Sequence, residues 1–207
     1  VIVLDARALS ENGSPGTEAW ARPLRRCLDG LHQTLGMRCP VHLVINHADG
    51  LPGFDECVQA VSSEERRGFF GISLAPDDDA GNAFPEGMET LRQRLEGQRL
   101  RRLRTCTDPV SRSRLMLFPF QLSRLTPALD DFLRTLLEHA PGQEPIGLAG
   151  LGLTSAAEDP SFVHGLWHEL ILPRRHQVTP SLRRRRRRRL ALTLAGILSM
   201  MSLGLAA

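Results

Sequence analysis

Polar side chains that could bind a ligand follow two apolar segments of the sequence. Asn46, His47 and Asp49 come directly after Val41–Ile45, and Thr154 and Ser155 come directly after Ile146–Leu153. Both segments have the composition of strands that are buried on both faces of a parallel sheet. In open α/β sheets, ligands bind beyond the carboxyl ends of the strands. The sequence therefore predicts a ligand-binding edge that carries an amide, a carboxylate and hydroxyl groups.

The segment Asn46-His47-Ala48-Asp49 resembles the Asn-Lys-x-Asp segment of guanine-nucleotide-binding proteins. In those proteins the Asp accepts hydrogen bonds from the guanine N1–H and amino group, and the Lys stem packs on the base. His47 stands in the place of that Lys. Thr154-Ser155-Ala156 resembles the second turn that contacts the base. The alternative is an Asx-type turn at a strand end, which Asn and Asp also favour, and four residues alone favour that turn.

Other candidate sites carry weaker signals. His164 and His168 are four residues apart and could share a helix face, but Glu169 follows the second His, so the metalloprotease order His-Glu-x-x-His is not met. The acidic run Asp77–Asp79 has the character of a solvated loop. The sequence has no Gly-x-Ser-x-Gly elbow and no Cys in an evident His-paired context. We predict no metal site and no catalytic residue.

Composition excludes several classes of function. All 26 basic residues are Arg, and this absence of Lys excludes Schiff-base chemistry and the phosphate-binding lysine of a P-loop. Seven of those arginines form one run, and the others are outnumbered by 23 acidic residues. The rest of the chain is therefore mildly acidic, and we predict no nucleic-acid partner. The four cysteines contain no Cys-x-x-Cys pair and are expected to be reduced packing residues.

The amino-terminal part of the sequence has the pattern of a βαβ unit. Val1–Leu4 is a short apolar strand, and Ser10–Thr17 is a Gly- and Pro-bearing segment that predicts a loop. Apolar residues then recur at helical spacing from Trp20 to Leu35, and Gly36 is placed to end that helix. The next strand, Val41–Ile45, should lie parallel to the first.

The middle of the chain is less regular. Ser62 and Glu65 fit a capping box, and Ala75–Pro85 predicts an acidic loop. Leu115–Phe120 predicts a strand in which Pro119 requires a sheet edge or a strand end, and an amphipathic helix is predicted from Leu125 to Leu137.

A second helix with a basic outer face is predicted around Met88 to Leu103. A solvated surface is the simpler interpretation of that face, and a contact with an acidic partner is the alternative. Its arginines are Arg92, Arg94, Arg99, Arg101, Arg102 and Arg104.

The end of the sequence predicts a membrane segment. The uncharged stretch 190–207 would span about 27 Å as a helix, close to the thickness of a bilayer core. Arginines beside such a span stay on the cytoplasmic side, so the preceding region should be cytosolic. The alternative, a basic tail followed by a buried helix, is disfavoured because the stretch has no polar face. The orienting residues are Arg183, Arg184, Arg185, Arg186, Arg187, Arg188 and Arg189.

Several motifs in this order resemble the cytosolic region of the IcmF/TssM family, inner-membrane components of bacterial type VI secretion systems. They are the segment Leu43–Phe54, the acidic-basic run Ser63–Arg67, Phe118–Gln121, Leu153–Ser155 and the helix Leu166–Pro173 before the arginine run. The resemblance covers nearly the whole chain. It implies an α/β fold with a partial P-loop-NTPase-like parallel sheet and helical elaborations, followed by a transmembrane helix. The corresponding domains are an α/β domain over residues 1–172, a basic linker over 173–189 and the membrane helix over 190–207.

The resemblance also implies a role. The protein would be a structural component that couples the inner membrane to the cytoplasmic baseplate, with other subunits of the membrane complex, baseplate proteins and the bilayer as partners. The alternative is a membrane-anchored switch that binds GTP or ATP with Mg²⁺, whose phosphate-binding loop would lie upstream of this chain. The chain alone is not expected to be an enzyme, and hydrolysis by a longer parent stays open. A generic membrane-anchored α/β protein is the third hypothesis.

Overall fold

A computed structural model of the chain describes residues 1–59, 61–75, 78–139, 145–156, 161–180 and Thr193. Its centre is a four-stranded sheet with the order β1 (Ile2–Asp5), β3 (Val41–Asn46), β5 (Leu148–Leu153), β4 (Gly71–Ser73). β1 and β3 are parallel, as the βαβ pattern predicted, and β5 is parallel to β3, whereas the edge strand β4 is antiparallel to β5. The α/β class is confirmed, and the sheet is mixed rather than wholly parallel.

The predicted loop over Ser10–Thr17 is wrong, because one helix, α1 (Ala6–Leu35), runs through it. The Asp5 carboxylate caps this helix by accepting hydrogen bonds from the amides of Arg7 and Ala8. Leu9 and Thr17 are buried, so contact with the rest of the fold outweighs the local preference of Gly and Pro for a loop. Gly36 ends the helix in the left-handed conformation, as predicted.

The predicted edge strand over Leu115–Phe120 is also wrong. These residues belong to α5 (Pro109–Leu137), a helix that contains Pro119 and Pro127 and buries Leu115, Phe118 and Leu122 on one stripe. α4 (Ala80–Thr105) precedes it and packs against it. α4 begins inside the predicted loop Ala75–Pro85, because Asp79 caps its first turn.

The remaining helices are short. α2 (Phe54–Gln59) and α3 (Ser63–Arg67) follow β3, and the capping box between Ser62 and Glu65 is confirmed. α6 (Val163–Gly165) continues as a π-helical turn over Leu166–Ile171 and a 3₁₀ turn over Leu172–Arg174. A two-stranded sheet pairs β2 (Met37–Arg38) with β6 (Thr179–Pro180). Asp159–Pro160, a dipeptide that favours the start of a helix, lies outside the described residues.

The two faces of the main sheet are covered differently. α1, α4 and α5 cover one face and share the large core that contains Leu43, Ile45 and Leu129. Leu166 and Leu170 of the π-helical turn pack on Val44 at the opposite face. This two-sided coverage explains why β3 is apolar on both faces.

Within the described ranges, no helix is both long enough and apolar enough to cross a bilayer. The predicted membrane span over 190–207 lies outside those ranges except for Thr193, and the orienting arginines 183–189 lie outside them entirely.

Candidate functional site

The structure brings the predicted base-binding residues together at the carboxyl ends of β3 and β5. The Thr154 hydroxyl donates to Asn46 Oδ1 at 3.2 Å, and the Ser155 hydroxyl donates to Asp49 Oδ1 at 3.2 Å. The amide of Ala156 donates to the same Asp49 oxygen at 3.0 Å. The backbone joins the two turns as well, because the Ala48 amide donates to the Thr154 carbonyl at 3.1 Å.

Asp49 is held as a carboxylate. Partial burial opposes ionisation, but hydrogen bonds from the Ala156 amide, the Asp49 amide and the Ser155 hydroxyl outweigh it, and they lower the pKa of Asp49 below its ordinary value. The side chain keeps 18% of its surface exposed. The carboxylate therefore stays charged at neutral pH and remains partly open to a ligand.

Two residues of this site were missed by the sequence reasoning. Asp5 ends β1 and pairs in register with Asn46, and its Oδ2 lies 3.9 Å from His47 Nε2. Arg7, in the first turn of α1, places Nη2 3.7 Å from Asp49 Oδ2. The signal was available, because the carboxyl ends of adjacent parallel strands meet at the same edge of a sheet.

Arg7 and His47 decide what the site can accept. The Arg7 side chain lies over Gly50, where a Cβ would come within 2.6 Å of its Nε. Asp49 Oδ1 already accepts two hydrogen bonds, so a planar base would approach Oδ2, where it would meet the Arg7 guanidinium. His47 has a φ of 55°, a left-handed conformation that costs a residue with a Cβ free energy.

The other predicted candidates do not form sites in the described parts of the chain. The rings of His164 and His168 stack with centroids 4.1 Å apart. Among the described residues, no three His, Cys, Asp or Glu side chains are grouped as a metal would require. Asp78 accepts a hydrogen bond from the Ala75 amide, and Asp79 caps α4, so both have structural partners.

A separate apolar cavity of about 260 Å³ lies between α2, α3 and α4. Phe54, Phe70, Phe118 and Phe162 pack around it with their rings 4.9 to 6.4 Å apart. None of the five predicted base-binding residues lines it. Burial raises the pKa of the Cys57 thiol in its wall, despite the nearby Arg102 guanidinium, so this thiol is not an activated nucleophile.

The arginines of α4 are divided between internal pairs and the surface. Arg92 pairs with Glu89 and Glu96, and Arg102 donates to the Cys57 carbonyl at 2.8 Å. Arg94, Arg101 and Arg104 are exposed. Of the six arginines predicted to form a basic outer face, these three are therefore the exposed ones.

The fold and this edge define an α/β protein with a polar site at the carboxyl ends of parallel strands. The sequence profile described as the IcmF-related N-terminal domain matches residues 1–161, so the chain belongs to the IcmF/TssM family. It is also similar to the type VI secretion system component TssM1 of Pseudomonas aeruginosa, with 31% identity over 148 residues. That match covers 69% of this chain and 13% of the relative. No solved structure matches the chain.

Proposed function

We propose that this chain is part of a structural component of a type VI secretion membrane complex, which couples the inner membrane to the cytoplasmic baseplate. Membership of the family and the name of the P. aeruginosa relative support the secretion role. The run of seven arginines and the predicted membrane segment that follows it support an inner-membrane location with the described domain in the cytoplasm.

The observation that carries the non-enzymatic proposal is that neighbouring side chains and a backbone amide of the chain already hold Asp49. Its Oδ1 accepts from Ser155 and Ala156, and Arg7 lies against its Oδ2. Together with the Asn46–Thr154 hydrogen bond, these contacts fasten the end of β3 to the end of β5 without any ligand. The edge acts as a structural clamp in this proposal.

A nucleotide-binding switch is the second candidate, and the same convergence of two turns favours it. Asn46, Asp49 and Ser155 would hold the base of GTP or ATP, with His47 beside it and Thr154 orienting Asn46. The triphosphate and Mg²⁺ would need the phosphate-binding loop of a longer parent. Arg7 would leave Asp49 when the base binds.

One substitution separates the two candidates. In the full-length protein, Asp49→Asn keeps an oxygen that can accept from Ser155 and Ala156 but cannot accept from both donors of guanine. The structural proposal expects type VI secretion at the wild-type level and no change in guanine-nucleotide binding. Glu18→Gln, which removes the charge of an exposed carboxylate on α1, is the matched control.

Two results would count against the proposal. Loss of both GTP binding and secretion in Asp49→Asn, at an unchanged protein level, would replace the scaffold with the switch. Normal secretion after deletion of the whole gene would remove both candidates.

A further inference from the structure

The amino-terminal half of α5 exposes apolar side chains on its outer face. Val110, Met116, Leu117 and Phe120 are 60%, 51%, 44% and 65% exposed. At 3.6 residues per turn they fall within about a third of the helix circumference, opposite the buried stripe that begins with Leu115 and Phe118. These four residues form the α5 outer face.

Such a face is unusual for a helix in contact with water. Single exposed apolar residues are common, but a cluster of them on one face marks an interaction site. The carboxyl-terminal half of the same helix does not repeat the pattern. There, Arg134 is exposed and paired with Asp130. The apolar character is therefore a local property of the first three turns.

Contacts between α1 and α5 locate this face at the carboxyl end of the sheet. The Thr17 hydroxyl donates to the Ala128 carbonyl, and Arg25 donates to the Leu136 carbonyl, so the two helices run parallel with a constant offset. By that offset, Leu117 is level with Ala6, the first residue of α1. The first two turns of α5 extend about 12 Å beyond this level. Arg114, which pairs with Glu56 of α2 at 2.9 Å, confirms the placement.

The chain leaves the described domain at the opposite end. β6 pairs with β2, which follows the carboxyl end of α1, and residues 181–207 continue from β6. α5 is 29 residues long and spans about 43 Å from one end of the domain to the other. The α5 outer face thus lies at the other end of the domain from Pro180, and this separation favours a protein partner over the bilayer of the membrane segment predicted beyond Pro180.

The charge around the face selects the chemistry of the partner. From residue 99 to residue 129 there is one acidic residue, Asp108, and it already caps α5 by accepting from the Ser111 amide. A second copy of this face, or the chain's own arginine run, would bring like charge. An acidic partner would instead bring charge opposite to that of the arginines. Arg114 pairs with Glu56 of α2 and Arg102 donates to the Cys57 carbonyl, whereas the remaining arginines of this interval that are exposed are Arg101, Arg104, Arg112 and Arg124.

We propose that the α5 outer face is the surface on which an acidic baseplate protein docks, with Leu117 and Phe120 as apolar anchors and Arg112 and Arg124 as the charged rim. This inference rests on the proposed function. A few well-packed residues at the centre of an interface carry most of its binding free energy, and rim charges steer association and fix register.

The test measures binding of the purified baseplate complex to the full-length protein reconstituted in nanodiscs. Leu117→Ser/Phe120→Ser and Arg112→Glu/Arg124→Glu should each weaken binding about tenfold or more. Arg112→Lys/Arg124→Lys should bind as wild type does. Leu31→Ser/Leu35→Ser is the matched control, because both leucines are 51% exposed at the far end of α1.

Thermal unfolding tests whether the variants fold, and the binding results separate a failed inference from a failed proposed function. All these side chains are exposed, so thermal unfolding should be unchanged within experimental error. Wild-type binding by the α5 variants would overturn the inference and leave the proposed function standing. No binding by the wild-type protein would overturn both. Loss of binding to phosphatidylglycerol vesicles, with baseplate binding retained, would assign the face to the membrane instead.

Discussion

The Ser155 hydroxyl donates a 3.2 Å hydrogen bond to Asp49 Oδ1, although the two residues are 106 positions apart in the chain. This contact and the Thr154–Asn46 hydrogen bond join the turns that follow β5 and β3. The two strands already pair along their length, so these side chains, together with the Ala48–Thr154 backbone hydrogen bond, extend the connection past the ends of the paired strands. The edge is consequently preorganised before any ligand arrives.

Replacement of Ser155 by Ala should destabilise the protein. Ser155 is buried, and its loss leaves one acceptor of Asp49 less satisfied, so the free energy of unfolding should fall by about 1 kcal/mol. Urea denaturation followed by tryptophan fluorescence measures the change. Ser113→Ala, at an exposed position on α5, should change stability by less than about 0.5 kcal/mol. Equal effects of the two substitutions would contradict the clamp.

Asp49 should make stability sensitive to acid. Its pKa is lower in the folded protein than in the unfolded chain, so its stabilising contribution is complete above the unfolded pKa and is lost as the pH falls through the folded one. Wild-type protein should therefore lose more stability than Asp49→Asn when the pH is lowered from 5 towards 3. Parallel unfolding curves of the two proteins across this range would be inconsistent with the lowered pKa.

His42 should produce a second pH dependence at higher pH. Burial in β3, with a smaller effect of nearby positive charge including Arg174, lowers the pKa of His42 to about 4. The unfolded chain takes up a proton near pH 6.5, whereas the folded protein resists protonation until about pH 4. Stability is thus fully present above pH 6.5 and falls between 6.5 and 4, by up to about 3 kcal/mol.

The control for His42 is a variant that cannot titrate. His42→Leu should abolish the decline between pH 6.5 and 4 while leaving the response below pH 4 in place. Unfolding free energies measured in urea at several pH values give both slopes. A decline of the same size in His42→Leu would show that other groups cause it.

The sequence predicted β3 and β5 well because their apolar runs are short and buried, and it also predicted β1, although Val3 in that strand is 60% exposed. It also predicted which polar residues would follow those strands. The failures lie where long-range packing overrides local chemistry. Pro119 suggested a strand edge, but the apolar stripe through Leu115, Phe118 and Leu122 continues the helical period of the residues that follow.

The candidate site was predicted only in part for a related reason. Their position directly after buried strands predicted four of the site residues, Asn46, Asp49, Thr154 and Ser155. The approach of Arg7 to Asp49 depends on where α1 begins, and the predicted loop placed that helix a dozen or so residues too late. Because the start of this helix was misplaced, the sequence did not predict that Arg7 contacts Asp49.

Two helical glycines should respond to Ala in opposite ways. A Cβ on Gly165 would lie 2.0 Å from the Gly68 carbonyl carbon and 2.3 Å from the Phe69 amide nitrogen, whereas Gly97 in α4 has nothing within 4 Å. Backbone atoms cannot move aside as a flexible side chain can, so Gly165→Ala should separate α6 from the end of α3 and destabilise by about 1–3 kcal/mol. Gly97→Ala should stabilise by about 0.5–1 kcal/mol, because Ala restricts the unfolded chain and favours helix.

Thermal unfolding by circular dichroism distinguishes these two results by sign. The Gly165 variant should also loosen the packing of Leu166 against Val44 on the sheet face opposite α1 and α5. Exposed Trp167 lies next to Leu166, so its fluorescence should change before the global transition. A Gly165→Ala protein as stable as wild type would mean that the Gly68–Gly165 approach does not hold α6 in place.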